Sequence, residues 1–146
     1  MKPYRNIIIF IGLILSLLCS FKGLGQEAPG YILEAEEDIK KVDSLHFGGG
    51  LAIGYSFFNE IKDFDFVFRK RVLTPGAAIQ YHLQKEDEIY YILSGKGEMK
   101  MNDELFEVSS GSAVLTRAGS SHGLRPLGDE DLVIFIIYEK SASNDR

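Results

Sequence analysis

The sequence predicts an all-β fold in a single domain that follows a signal peptide. After Gly50, short runs rich in β-branched and aromatic residues recur, among them "EIYYIL", "ELFEV" and "DLVIFIIY". Turn sequences such as "TPG", "SGKG" and "SSG" end these runs about every 8–12 residues, a spacing typical of β-sandwiches and barrels. No run after Gly50 has helical periodicity. A chain of 146 residues is long enough for one such domain.

The first 25 residues have the pattern of a secretory signal peptide. Lys2 and Arg5 precede the apolar run "IIIFIGLILSLLC", and small residues follow at Gly23 and Gly25. A membrane-spanning helix needs about 20 apolar residues, so a retained anchor is the less favoured alternative. We expect an exported protein, periplasmic or secreted, whose mature chain starts near Gln26 and has no stable membrane anchor.

Cys19 ends the apolar run and is the only cysteine. A lipoprotein would attach its lipid to such a residue, but a small residue normally stands directly before that cysteine, and here the position holds Leu18. Lipidation at Cys19 is therefore the minor alternative to soluble export. In the soluble case the mature chain has no cysteine and hence no disulfide framework.

The chain divides into a signal peptide at residues 1–25, an N-terminal lead-in at residues 26–50 and a folded domain at residues 51–140. We expect the lead-in to be extended or weakly helical, because it is polar and holds "EAEEDIKK". His46 in "HFGGG" is interpreted as a loop histidine.

Cleavage after Gly25 removes three of the 16 basic residues and none of the 21 acidic ones, which changes the net charge from −5 to −8. Such an acidic chain does not suggest a nucleic-acid partner.

Polar residues alternate along the two strands on either side of the "KED" turn. Because successive side chains of a strand point to opposite faces, each strand should have one face with functional candidates. These faces hold Gln80, His82 and Gln84 on the first strand, and Glu88, Tyr90 and Ile92 on the second. Polar, aromatic and aliphatic residues in that order suit a barrel wall that is polar at the mouth and apolar deeper down.

Four of the polar residues form a candidate metal site. His82, Gln84 and Glu88 converge if the hairpin turns their faces to the same interior, and His122 follows a later strand and a glycine-containing turn. Imidazole, carboxylate and amide oxygen suit a divalent ion of the borderline class: Fe, Mn, Ni, Co or Zn. The alternative for Glu88 is a carboxylate at the start of a strand, paired with a neighbouring lysine.

The stretch from Gly76 to Gly95 resembles the first sequence motif of the cupin family. That motif reads glycine, five residues, histidine, one residue, histidine, three or four residues, glutamate, six residues, glycine. In "GAAIQYHLQKEDEIYYILSG" both glycines, His82 and Glu88 are in register, and Gln84 stands in place of the second histidine.

A second stretch, "GSAVLTRAGSSH", is similar to the other cupin motif: glycine, five residues, proline, one residue, glycine, two residues, histidine. Gly111, Gly119 and His122 match it. Arg117 replaces the proline, and Pro126 stands where the motif has asparagine.

The resemblance covers about Leu51 to Tyr138. It implies a double-stranded β-helix, the jelly-roll barrel of cupins, with a divalent metal held by His82, Gln84, Glu88 and His122. A metal-free cupin barrel that serves as a binding module is the alternative.

Arginines are the candidates for binding an acidic substrate, because guanidinium forks suit carboxylate and phosphate. Arg117 and Arg125 flank His122 in the sequence, so we expect one of them near the mouth of the barrel. Arg69 and Arg71, in "RKR", share one strand face, for which solvent exposure is the preferred interpretation and substrate binding by Arg71 the functional one.

The catalytic candidates are Glu88 and Tyr90, with Tyr90 as a proton donor; a tyrosine that simply packs in the core is the alternative. The size of the chain and its ligand set resemble small cupins that process sugars and unsaturated uronates from polysaccharide degradation. The resemblance therefore implies a metal-dependent lyase or isomerase on a sugar acid or carbohydrate fragment. A non-enzymatic binding cupin and an iron dioxygenase are the alternatives.

We also predict a homodimer, because a barrel of this size leaves edge strands that need cover.

Overall fold

The computed structural model describes residues 30–45 and 49–140, so the predicted signal peptide, Cys19 and His46 lie outside the described residues. The chain divides into two compact units, Met1–Leu33 and Glu34–Arg146, and every described strand lies in the second. Within the described ranges, no helix is long and apolar enough to cross a membrane.

The described part of the second unit is built almost entirely of strands, which confirms the all-β prediction. A 3₁₀ turn at Glu36–Asp38 precedes ten strands. These are β1 (Val42–Leu45), β2 (Leu51–Phe57), β3 (Phe66–Leu73), β4 (Ile79–Leu83), β5 (Glu88–Ser94), β6 (Lys96–Met101), β7 (Glu104–Ser109), β8 (Ala113–Thr116), β9 (Ser121–Pro126) and β10 (Leu132–Glu139). They form a six-stranded sheet in the order β1-β2-β3-β10-β5-β8 and a four-stranded sheet in the order β4-β9-β6-β7. All described pairings are antiparallel.

The core lies between the two sheets and takes one face of each strand. Its largest buried aliphatic side chains, at most 2% exposed, come from five strands: Leu73, Ile92, Met99, Leu124, Leu132 and Ile134. Burying each such side chain contributes roughly 1.5–3 kcal/mol of transfer free energy. This shared apolar layer fixes the register of the strands, since a slip by one residue would turn it towards solvent.

Gly95 is the turn position with the strictest requirement for glycine. It joins β5 to β6 with a φ of +81°, a conformation that L side chains rarely adopt. A Cβ at this position would lie 2.3 Å from the carbonyl oxygen of Asp131, which is backbone and therefore cannot move aside. The last glycine of the first sequence motif thus permits the chain to reverse closely beside the start of β10.

The lead-in contains one strand that the sequence did not predict. β1 pairs with β2 of the same chain, with Val42 opposite Gly54. Ahead of β1, the Glu34 carboxylate accepts a hydrogen bond from the backbone N–H of Phe58 at 2.6 Å. Glu36 pairs with Lys70 at 2.5 Å. These three contacts attach the acidic lead-in along the β2–β3 side of the six-stranded sheet.

The outer face of the six-stranded sheet carries exposed apolar side chains. On β5 and β8 these are Ile89, Tyr91, Leu93 and Leu115, each at least 42% exposed. Exposed apolar residues in one contiguous region are common at protein–protein interfaces. The homodimer stays a prediction.

Candidate functional site

Three neighbouring strands of the six-stranded sheet line the barrel with the same order of side chains. On β3, β5 and β10 the inward positions are apolar at one end and polar at the other. In chain order these positions hold Arg69, Arg71 and Leu73 on β3, Glu88, Tyr90 and Ile92 on β5, and Ile134, Ile136 and Tyr138 on β10. The register places Arg69, Ile136 and Tyr90 side by side, and Arg71, Ile134 and Ile92 in the next layer. The predicted face of Glu88, Tyr90 and Ile92 is therefore confirmed, since all three are buried.

The polar end of this wall opens into a cavity of about 440 Å³ between the two sheets. Its polar lining comes from both sheets and from the turn between β4 and β5, and includes Arg69, Arg71, His82, Gln84, Glu88 and Tyr90. A cavity of this size, with a few convergent polar groups over an apolar floor, is typical of small-molecule sites.

Glu88, Tyr90 and His122 form a buried polar cluster, of which Glu88 and Tyr90 line the cavity. The Tyr90 hydroxyl is hydrogen-bonded to His122 Nε2 at 2.8 Å, and Glu88 Oε2 lies 3.5 Å from the same nitrogen. His122 is 0% exposed, Tyr90 1% and Glu88 7%. Two polar atoms of this cluster, Glu88 Oε2 and His122 Nδ1, are buried without a hydrogen-bond partner among the described residues. Unpaired buried polar atoms are destabilising and often indicate a functional site or a missing ligand.

Burial shifts the pKa of each group in the cluster towards its uncharged form. It raises the pKa of Glu88, and hydrogen bonding by Tyr90 opposes that rise. Burial also raises the pKa of Tyr90, as does the nearby Glu88 carboxylate. The pKa of His122 falls to about 4, mainly through burial and secondarily through His82. Several perturbed groups at one cavity are a physical indication of a functional site.

His82 and His122 come together because their strands pair. They are direct partners between β4 and β9, and their ring centroids lie 4.6 Å apart. His82 Nδ1 lies 2.7 Å from the carbonyl oxygen of Gln80, so this nitrogen must carry the proton that it donates. In neutral His82, Nε2 therefore keeps its lone pair, the arrangement that orients many metal-ligating histidines.

The predicted alternation along β4 is correct except at Ile79. Gln80, His82 and Gln84 all line the cavity, while Tyr81 is half exposed on the outside. Strict alternation would place Ile79 on the same face as Tyr81, but Ile79 packs against the core. The reason is a register shift in the β4–β9 pairing between Ile79 and His82, which reverses the alternation at that point.

The donor chemistry at the cavity fits a borderline divalent metal. The unpaired Glu88 Oε2, the free Nε2 of His82 and the adjacent His122 are ligand types that such ions prefer, and Gln84, 7% exposed, adds an amide. As the side chains stand, no group of three or more histidine, cysteine, aspartate or glutamate residues within the described ranges is arranged to hold a metal ion. The Tyr90 hydroxyl is the present partner of His122 Nε2.

The predicted arginines separate into two groups. Arg71 lines the cavity, together with Arg69, and both are half-buried, which corrects the preferred solvent-facing interpretation of "RKR". Arg117 pairs with Asp87 at 3.1 Å, Arg125 pairs with Glu98 at 2.7 Å, and neither belongs to the cavity lining.

The lysine pairing considered for Glu88 is absent among the described residues, where the neutral imidazole of His122 lies 3.5 Å from its carboxylate. Two polar lining residues were missed by the sequence analysis: Tyr138 and Glu86. The inward position of Tyr138 could have been read from its spacing to Ile134 and Ile136 on the same strand.

Comparison with known proteins agrees with this fold. Residues 70–138 match the family model described as the cupin domain. The chain is 34% identical over 67 residues to an oxalate-binding protein of Thermotoga maritima; the match covers 45% of this chain and 55% of that protein. The chain thus spans about half the length of this relative.

Among solved structures, a predicted oxalate decarboxylase from Thermotoga maritima superposes with a TM-score of 0.65 at 23% identity, over 75% of this chain and 100% of that chain. The structure of KdgF from a Halomonas species gives a TM-score of 0.61 at 18% identity, over 75% of this chain and 96% of that one. At these identities the likeness shows the fold. The β-barrel and its inward-facing polar site therefore define a small single-barrel protein with a cavity for small molecules. The described strands have the cupin fold, and residues 70–138 match the cupin domain model, as the two sequence motifs predicted.

Proposed function

We propose that this chain is an exported, metal-dependent enzyme that acts on a sugar acid or a related carbohydrate fragment by loss of water or isomerisation. One observation carries the proposal: a buried cluster of Glu88, Tyr90 and His122, with two unpaired polar atoms, reaches through Glu88 and Tyr90 into the cavity that Arg71 also lines. The cluster supplies groups that can move a proton, and the arginine supplies a contact for an acid.

The residues that would hold a metal are His82, Gln84, Glu88 and His122, and a bound divalent ion would supply Lewis-acid polarisation of a substrate oxygen. Tyr90 is kept protonated by burial, so its hydroxyl can donate to a substrate oxygen in the cavity. The Glu88 carboxylate, whose pKa burial raises, is the candidate group to accept and return a proton. Arg71 orients the acid group of the substrate.

The relative from Thermotoga maritima is named for binding oxalate, a small acid. That name supports an acidic ligand for the matched stretch of this chain. The solved structures support the barrel alone, so the carbohydrate assignment rests on the resemblance in the sequence motifs and on the polar cavity.

Turnover and metal content of the exported protein test this proposal together. The mature chain is purified, its metals are measured by mass spectrometry, and unsaturated uronates and other sugar acids are followed by NMR. We expect bound metal and a changed carbon skeleton or carbonyl position in at least one substrate. Glu88→Gln and Tyr90→Phe should each lower turnover at least tenfold, while Arg125→Gln, which removes a surface ion pair, serves as the matched control. Absence of both metal and turnover would refute the proposal.

A non-enzymatic binding cupin is the second candidate. It is favoured by the hydrogen bond between Tyr90 and His122 Nε2, which gives that nitrogen a partner other than a metal. Sugar acids that bind with unchanged affinity after metal removal, and that are never converted, would establish this candidate.

Two further parts of the proposal concern the whole protein. Mass spectrometry of exported protein should show a mature chain that starts near Gln26; an intact Met1, or a lipid on Cys19, would contradict soluble export. Light scattering at several concentrations should show a homodimer, and a monomer throughout would contradict that expectation.

A further inference from the structure

We infer that Arg69 and Arg71 form a subsite for a dianionic portion of the ligand, either one phosphate or two carboxylates, and that Arg69 selects for the second negative charge. The inference rests on the proposed function in that it concerns the ligand of the same cavity. It adds a specificity residue, Arg69, a positioning residue, Ser56, and a charge class for the ligand.

The subsite follows from the alternation along β3. Arg69 and Arg71 both face the cavity and are half-buried, and their Cα atoms are separated by about 6.7 Å along the strand. Lys70, between them, faces the opposite side of the sheet, where Glu36 neutralises it. The strand therefore pairs its outward cation with an acid of the chain and presents its two inward cations to the cavity.

The nearby Glu88 carboxylate acts on the charge of both inward cations but forms an ion pair with neither. No ion pair of Arg69 or Arg71 occurs within the described residues, although Glu86 and Glu88 line the same cavity. Burial lowers the pKa of Arg71, and repulsion by Arg69 lowers it further. Two like charges in a half-buried site are destabilising, and an anion placed between them would relieve that repulsion.

The hydrogen bonds give the two guanidinium groups different tasks. Arg69 donates from Nε to the Ser56 hydroxyl at 3.2 Å, so its two Nη groups remain for a ligand and its position is fixed. Arg71 lies over Gly54, where a Cβ would approach its Nη1 to 3.6 Å. The described residues offer Arg71 no hydrogen-bonded acceptor, so its fork is open to a bidentate contact. We assign the first anionic group to Arg71 and the second charge to Arg69.

Calorimetric titration of metal-free mature protein tests the subsite without turnover. The probes are malonate for paired carboxylates, inorganic phosphate at mildly alkaline pH, acetate for a single charge, and glucose as a neutral compound. We expect malonate or phosphate to bind about tenfold or more tightly than acetate, because a charge-assisted hydrogen bond contributes about 1.5–3 kcal/mol. The dianion that binds more tightly shows whether the subsite prefers one phosphate or two carboxylates.

Variants separate the two roles. Arg69→Gln should weaken dianion binding about tenfold and leave acetate nearly unchanged, whereas Arg71→Gln should weaken both. Arg117→Gln and Arg125→Gln, which remove surface arginines of the same charge, are the matched controls and should change neither. Ser56→Ala, a milder change, should reduce the preference for dianions over acetate if Arg69→Gln does not fold.

Equal affinity for acetate and both dianions, or unchanged dianion affinity in folded Arg69→Gln, would overturn the inference. Dianion binding by a protein without turnover would leave the subsite established and refute only the enzyme. Turnover of a neutral sugar, with no preference for dianions, would support the enzyme and refute the subsite.

Discussion

Lowering the pH should destabilise the metal-free protein through His122, by an amount that the structure allows us to calculate. The imidazole has a pKa of about 6.5 in the unfolded chain and about 4 when folded. The unfolded state therefore binds the proton first as the pH falls, and stability is lost from pH 6.5 down to pH 4. From pH 7 to pH 5 the free energy of unfolding should fall by about 2 kcal/mol, and at pH 4 by about 3 kcal/mol.

The assay is urea unfolding of EDTA-treated protein at several pH values between these limits, with wild type and His122→Gln in parallel. Glutamine keeps a polar side chain but does not titrate. The difference between the two proteins largely removes contributions from other groups, including Glu88, whose raised pKa acts in the opposite direction. In the His122→Gln variant, the free energy of unfolding should lack the pH dependence that His122 contributes. Parallel curves for the two proteins between pH 7 and pH 5 would refute a buried, neutral His122.

Three other changes have defined outcomes. Gln84→His should tighten binding of nickel, copper or zinc, measured as metal retained after dialysis, because imidazole is the stronger ligand for these ions; unchanged retention would argue against Gln84 as a ligand. Gly95→Ala should lower the free energy of unfolding by several kcal/mol, because its Cβ would collide with the backbone of Asp131. The control Gly111→Ala, at a φ of +88° but with open space around the new Cβ, should lower it by about 1–2 kcal/mol. Equal effects of the two substitutions would contradict the collision. Tyr90→Phe should destabilise the metal-free protein by about 1–3 kcal/mol in thermal or urea unfolding, because it removes the hydroxyl that pairs with buried His122, and full stability would show that the bond is unimportant.

The strands and the cluster could be predicted because both depend on local alternation. The period of two placed Glu88, Tyr90 and Ile92 on one face, and the burial of all three confirms it. Motif spacing brought His82 and His122 into one site, and strand pairing places their rings 4.6 Å apart. These features are short-range patterns that survive folding because the core enforces the register.

The remaining features depend on contacts between distant segments. The sequence around Ile79 does not reveal the register shift, which arises from pairing with β9. Strand β1 is short and polar, and it forms because β2 offers it an edge. The choice of arginines was a different error. Arg125 alternates with the buried Leu124 and Pro126, so the period of two already placed it outside; proximity to His122 in sequence was the weaker criterion.

The stacked interior of the barrel has a consequence for how such a protein can change its substrate over evolution. Leu73, Ile92 and Ile134 are fully buried and hold the sheets together. Arg69 and Arg71 line the cavity beside that apolar stack, and their substitution removes little buried hydrocarbon. New ligand preferences can therefore arise by single replacements of these two arginines while the stability of the scaffold is largely conserved, so directed-evolution libraries are best restricted to these positions.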